Sequence, residues 1–320
     1  MRKWVKICLP ILLLTAGAVL CAVRWQAWFG MPKEPQWTGD SLTYTFPAFR
    51  QDSTPGSFDV LILGDVHNQL QREDYDSLAA RVPEADLVAQ VGDWMDRGQE
   101  YYHQLLLREW TASRLNGLPV IACPGNHEYS KGLNKSLSPV WYSTFYQPLD
   151  FSAIHPLTSV PGVTYYMDLP SVRLIMLDTN PLSRLVYLTR TLTWLRTAMY
   201  TAGDRYVVVM MHHPVYSVAK GRFNLLIYAT FRYALGQADI VFAGHDHSYM
   251  RRTPFVVINT SGRPKKQYFR FTPDATDNVP VYGVLSVKQP ADNTHPSPMT
   301  LRVYRLSDGQ MIDSLYVSHD

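Results

Sequence analysis

Six short runs rich in Val, Ile and Leu recur along the chain: Phe58–Leu63, Leu87–Val91, Val120–Cys123, Arg173–Leu177, Tyr206–Met211 and Ile240–Ala243. Each ends in a polar loop. Continuous apolar runs of this length are strands buried on both faces. Between them, Glu73–Arg81, Gln99–Leu115, Thr189–Tyr200 and Phe223–Leu235 repeat apolar residues at three- and four-residue spacing, the helical period. Alternating strands and helices need crossover connections, so the chain is predicted to be α/β. After Arg252 the pattern changes: Phe255–Asn259, Val281–Ser286, Met299–Leu306 and Met311–Val317 follow with no helix between them. These are predicted to form a meander that makes most of a second sheet.

The chain of 320 residues is 46% hydrophobic, enough to bury a sizeable core and too apolar for disorder. Thirty basic residues against 27 acidic give no field that would select nucleic acid as a partner. Of three cysteines, Cys8 and Cys21 share one apolar N-terminal stretch, leaving Cys123 alone. Neither a disulfide framework nor a cysteine zinc site can be built from them.

That stretch, Ile7 to Val23, carries no ionisable carboxylate or amine and follows Arg2, Lys3 and Lys6. Residues 1–30 read as a cytoplasmic basic lead and a signal-anchor helix, with Trp4 at one interface and Trp25, Trp28 and Phe29 at the other. Ala16-Gly17-Ala18 also allows a cleaved signal peptide, but apolar sequence continues past it, as an anchor requires. Basic residues ahead of the helix place everything after it outside the cytoplasm, at a bacterial inner membrane facing the periplasm. Residues 31–55 read as linker and a first strand near Leu42–Phe46.

Chemistry gathers at the strand ends. Asp65 and His67 follow the first run, Asp93 the second, Asn126 and His127 the third, His212 the fifth, and His245 and His247 the sixth. Carboxyl-end loops of an α/β sheet converge on one crevice, so residues distant in sequence can meet there. The donors Asp65, His67, Asp93, Asn126, His212, His245 and His247 are too many for one ion. Imidazole mixed with oxygen suits Mn, Fe, Zn or Co. Two ions about 3.5–4 Å apart, bridged by a carboxylate and a hydroxide, would use every donor and turn water into a nucleophile for phosphoryl transfer. His103, His155, His213, His295 and His319 are assigned structural roles.

The ordered blocks D-x-H, GDxxD, GNHE, an HHP-type block and GHxH, all present between Phe58 and Arg252, resemble the calcineurin-like metallophosphoesterase superfamily. The resemblance implies a four-layer αββα sandwich, with residues 56–320 as the catalytic domain behind one N-terminal transmembrane helix. It implies that Asp65, His67, Asp93 and His247 hold one metal, and that Asp93, Asn126, His212 and His245 hold the other. It further implies that His127 protonates the leaving oxygen, that Asp96 orients and charges that imidazole, and that Arg97 binds phosphate. His212-His213-Pro214-Val215-Tyr216 and Gly244 to Arg251 look closest to the purple acid phosphatase branch, whereas His67 and Asp96 depart from it.

The function expected is a membrane-anchored, dinuclear metal-dependent hydrolase of phosphate esters, a phosphomonoesterase first. A phosphodiesterase or pyrophosphatase acting on lipid head groups or nucleotides is the alternative. A metal-binding module without catalysis is disfavoured, because every donor and His127 are present.

Overall fold

The computed structural model describes residues 57–131, 135–146, 149, 153–157, 163–169, 171–288 and 298–319, together with Val19, Trp25, Phe29, Gly30, Phe46 and Pro47. The expected anchor helix, linker and first strand otherwise lie outside the described residues. Among the described residues no helix is long and apolar enough to cross a membrane. Phe46 packs its ring 5.0–6.0 Å from those of Trp94, Trp110 and Phe145, which sets that residue in the core.

The chain folds into two sheets. In the first, β1 (Ser57–Leu63), β2 (Ala85–Gln90) and β3 (Val120–Ala122) run parallel, connected by α1 (Arg72–Arg81) and α2 (Glu100–Thr111). In the second, β6 (Val172–Leu177), β7 (Tyr206–Met211) and β8 (Ile240–Ala243) run parallel, connected by α3 (Leu185–Tyr200) and α4 (Leu225–Leu235). The remaining strands are β4 (Ile154–Pro156), β5 (Tyr165–Asp168), β9 (Tyr249–Arg252), β10 (Phe255–Val257), β11 (Ala275–Asp277), β12 (Val281–Lys288), β13 (Met299–Arg305) and β14 (Met311–Val317). Sheet orders are β14-β13-β12-β1-β2-β3 and β11-β9-β10-β8-β7-β6-β5-β4.

The expected division into an α/β part and a tail sheet is therefore corrected. The α/β strands split between both sheets, and the tail supplies only half of the first, β12 to β14, while β10 joins the second beside β8. The reason lies at β1, whose edge away from β2 needs a partner. Strand β12 covers it antiparallel, from Ser57↔Lys288 to Ile62↔Gly283, leaving no open edge at the sheet's centre. Strands β4, β5, β9 and β11, three or four residues each, were too short to stand out as periodic runs.

Both faces of β6 to β8 are covered, as their continuous apolar runs require. Leu174, Met176, Val208, Met210, Ile240 and Phe242 point into the core shared with the first sheet. The alternating Ile175, Leu177, Val207, Val209, Met211 and Val241 pack against α3 and α4 instead. Helix α4 starts where Asn224 Oδ1 accepts from the amides of Leu226 and Ile227. Its residues Ile227, Phe231 and Leu235, four apart, are buried against the sheet. Cys123 is fully buried, and in the insertion after β3 Trp141, Phe145 and Tyr146 pack into the core.

His103, on the buried side of α2, has Nε2 3.0 Å from Thr144 Oγ1, and burial lowers its pKa to about 4. An unfolded histidine binds its proton below about 6.5. Between about pH 6.5 and 4 the unfolded state therefore holds the extra proton. The stability tied to a neutral His103 is intact above that window and drains as pH falls through it, up to about 3 kcal/mol. A His103→Gln variant should lose correspondingly less stability than the wild type between pH 7 and 4.5 in urea titrations. Parallel pH dependences would refute this.

Candidate metal centre

The loops after β1, β2, β3, β7 and β8 meet at one place because the two sheets are clamped together there. Across the sheets Thr260 donates its amide to the Gly64 carbonyl at 2.7 Å and His212 Nδ1 its proton to the Val91 carbonyl at 3.0 Å, while within the second sheet Gly244 donates its amide to the His212 carbonyl at 3.0 Å. The backbone at this junction is strained. Asp65, His67, Asp93, His245 and His247 all have φ between 51° and 72°, the left-handed region, and each is one of the donors expected from sequence. Such residues cost about 1–3 kcal/mol each and persist only where surroundings over-determine them, which occurs at functional sites. Two glycines make the approach possible. A β-carbon on Gly125 would collide with the Asp93 carboxylate, and one on Gly92 with the His212 ring.

The side chains form two adjoining groups. In the first, His67 Nε2 and His247 Nε2 face each other at 3.1 Å, with Asp65 Oδ1 3.9 Å and 3.8 Å from them. In the second, His212 Nε2 lies 3.2 Å from His245 Nδ1 and 3.3 Å from Asn126 Oδ1. Asp93 Oδ2 sits between the groups, 3.2 Å from His212 Nε2 and 3.7 Å from His67 Nε2. All seven donors expected from the sequence are thus brought together. His213, assigned a structural role from sequence, also belongs to this neighbourhood: its ring centre is 4.5 Å from that of His245, and its Nδ1 is 2.8 Å from Thr179 Oγ1.

The donor set fits a pair of cations. Both oxygens of Asp65 and Oδ2 of Asp93 are buried without a hydrogen-bond partner among the described residues, which is costly for carboxylates unless positive charge compensates. Burial pushes the Asp65 carboxyl well up, with neighbouring Asp93 adding to it. Burial lowers His67 to about 3 and His247 to about 4, so both imidazoles are neutral with lone pairs free to ligate. His212 behaves oppositely. Burial disfavours its charge, but the Asp93 carboxylate overrides this and raises it to about 9. Asp93 is correspondingly held below the usual carboxylate range: burial works against ionisation, and His212 outweighs it.

Three supporting residues were not legible in the motifs. Glu128, fully buried, accepts the amides of Asp93, Met95 and Gly125 at 2.7–3.0 Å, binding the β2 and β3 loops into one unit. Arg263 pairs with the Asp96 carboxylate at 2.8 Å, and its carbonyl accepts from His247 Nδ1 at 2.9 Å, fixing that ring. Arg222 donates to the His245 carbonyl at 2.9 Å. The Asp96 expectation is changed in detail. His127 Nδ1 bonds at 2.6 Å to the backbone carbonyl of Asp96, while the Asp96 side chain goes to Arg263 and lies 3.6 Å from His67 Nδ1.

A cleft of about 1280 Å³ opens over the site. Asn126, His127, His213 and His245 line it on the metal side, with Arg222 bonded to His245 beside them, and Arg97, Lys131 and Lys135 complete its basic lining. Residues 58–249, more than half of the chain, match the family model of calcineurin-like phosphoesterases. The chain belongs to that family. As a calcineurin-like phosphoesterase it is a hydrolase of phosphoric esters that depends on two divalent metal ions, and its buried Asp/His cluster is where they fit. Solved structures share the fold. A purple acid phosphatase from seeds of yellow lupin, Lupinus luteus, is 16% identical with a TM-score of 0.62 over 83% of this chain, which spans 55% of the lupin protein. A dimetal phosphatase from Danio rerio is 13% identical with a TM-score of 0.53, over 82% of this chain and 99% of that one. No curated protein matches the sequence significantly.

Proposed function

We propose that this phosphoesterase is a phosphomonoesterase on a four-layer αββα frame, held by an N-terminal signal anchor with its catalytic domain outside the cytoplasm. The supporting observation is Asp93 Oδ2, buried between two nitrogen-rich groups, 3.2 Å from His212 Nε2 and 3.7 Å from His67 Nε2, below a cleft lined with basic side chains. Asp65, His67, Asp93 and His247 would hold one metal, and Asp93, Asn126, His212 and His245 the other. Bound there, the ions supply the charge that activates water and clamps the phosphoryl oxygens.

The chain's own groups do the rest. Arg97 and Arg222 offer planar forks of donors for phosphate oxygens, with Lys131 and Lys135 adding charge to the same cleft. His127 stands at the cleft floor with Nε2 4.0 Å from Asp93 Oδ2, and its Nδ1 is fixed by the Asp96 carbonyl. Nε2 is therefore the atom that carries a proton to the leaving oxygen. A His127→Gln variant is expected to keep its metal content and lose about 10²–10⁴-fold in kcat. The loss should be greatest for alkyl phosphates, whose leaving oxygens need the proton, and smallest for nitrophenyl phosphate. An equal loss on both would remove His127 from that role.

Metal analysis by mass spectrometry followed by phosphate release from aryl monoesters tests the whole reading. The cleft volume, above the roughly 300–1,000 Å³ usual for small-ligand sites, favours a second reading as a phosphodiesterase or pyrophosphatase on bulkier esters. Paired assays on mono- and diester aryl phosphates separate the two.

A further inference from the structure

Beside the cleft, two loops pair into one surface. Ala219 bridges Gln267, the Lys220 amide donates to the Lys266 carbonyl at 2.9 Å, and the Tyr268 amide to the Val218 carbonyl at 2.7 Å. The Arg270 guanidinium covers the Phe223 ring at 5.0 Å, locking the loops together. Residues 216–226 and 263–271 carry Lys220, Arg222, Arg263, Lys265, Lys266 and Arg270, and no acidic residue at all. Among the described residues, Arg263 alone of these six has a carboxylate partner, Asp96. The same loops and the first turn of α4 expose large apolar side chains: Leu225 at 67%, Tyr268 at 56%, Phe269 at 46% and Leu226 at 37%. Leu225, Leu226, Phe223 and Arg222 also line the cleft, so this surface is its lip.

A second observation bears on which way the cleft faces. Gly30, where the expected anchor ends, accepts from Arg184 Nη1 at 3.3 Å, while Arg184 Nη2 donates to the carbonyl of Lys135 at 3.2 Å. Lys135 lines the same cleft. Gly30 therefore lies beside the wall of the cleft, and the anchor proposed above, ending there, would hold the cleft's mouth toward its own bilayer.

We propose that the lip formed by residues 216–226 and 263–271 seats on the anionic face of that bilayer, and that the cleft hydrolyses a phosphate ester carried on a lipid. Aromatic and aliphatic side chains among lysines and arginines, of which only Arg263 has a carboxylate partner among the described residues, suit the interfacial layer, where rings sit at headgroup level and cations meet lipid phosphates. A soluble acidic polymer would account for the cations but not for the exposed Leu225, Leu226 and Phe269. The inference rests on the phosphoesterase reading and names its substrate class.

The test uses the full chain, metal-loaded and reconstituted in phosphatidylcholine vesicles containing phosphatidylglycerol. Phosphate release is measured separately from phosphatidic acid in the vesicles and from soluble nitrophenyl phosphate. Lys220→Glu/Lys266→Glu is expected to lose at least about 25-fold on the lipid, since each of its two cations near an anionic surface contributes about a factor of five, and Tyr268→Ser/Phe269→Ser, which removes two rings from headgroup level, about tenfold; none of the four residues lines the cleft. Both should stay within about twofold of wild type on the soluble ester, where no membrane contact is involved. Unchanged turnover of the lipid, or equal losses on both substrates, would overturn the lip's role. A wild type inert toward phosphatidic acid yet active on the soluble ester would overturn the substrate class. A wild type inert toward both would instead sink the phosphoesterase reading beneath it.

Discussion

Asp93→Asn is expected to strip the protein of its metal and its activity together. Asp93 is fully buried, its Oδ1 accepts the His127 amide at 2.8 Å, and its Oδ2 lies within 4.0 Å of His67, His127 and His212. The amide keeps the shape but removes the one negative charge shared by the two groups of donors. If its NH₂ takes the Oδ2 position, it presents hydrogens to nitrogens that should face a cation. Losing an outer-shell partner of a metal ligand costs about 10–100-fold in affinity, and losing the shared carboxylate should exceed that. Metal per chain and aryl phosphate turnover, measured on one preparation, decide the matter. Full metal content with normal turnover would show that Asp93 does not join the two groups.

Glu128→Ala should do comparable damage from one layer back. Its carboxylate is the acceptor for three buried amides: Asp93 and Gly125 on Oε2, Met95 on Oε1. Each amide left without a partner costs about 1–3 kcal/mol, so the substitution should remove on the order of 3–9 kcal/mol and release both ligand-bearing loops. Burial and then the nearby Asp93 carboxylate raise the Glu128 pKa to about 7. The site thus tolerates a strained acid because three donors need it. Glu128→Gln, which keeps one acceptor oxygen, should fall between alanine and wild type in urea midpoint and in metal content. If alanine matches wild type in both, the loops are held by something other than this side chain.

The metal donors were readable in the sequence because each follows an apolar run, four of the six runs being joined to theirs through glycine, and because seven oxygen and imidazole donors in that order leave few other chemistries. Glu128 stood in the same block and its work was not readable. Its partners come from residues 93, 95 and 125, and nothing in local spacing says which amides a carboxylate will face. The same holds for Arg263, 167 residues from the Asp96 it pairs with, and for the Asp96 carbonyl taking the bond expected of its carboxylate. The lip was legible only in part, since the sequence of Phe223–Leu235 allows a membrane-lying amphipathic helix as well as a core-facing one and favours the latter. The period of Phe223–Leu235 identified a face turned to the core, but the exposed Leu225 and Leu226 acquire a meaning only beside Tyr268 and Phe269, which follow more than 40 residues later.

By itself, the sequence determined where strands end, which elements are helices and which donors stand at each turn, since these follow from periodicity and residue chemistry within a few positions. Tertiary structure alone decided that the strands belong to two sheets, that β12 closes the edge of β1, and that five loops share one floor. A continuous apolar run states that both faces of a strand are buried without stating against what. Backbone pairing between segments more than 200 residues apart is settled only when the whole chain competes for its edges.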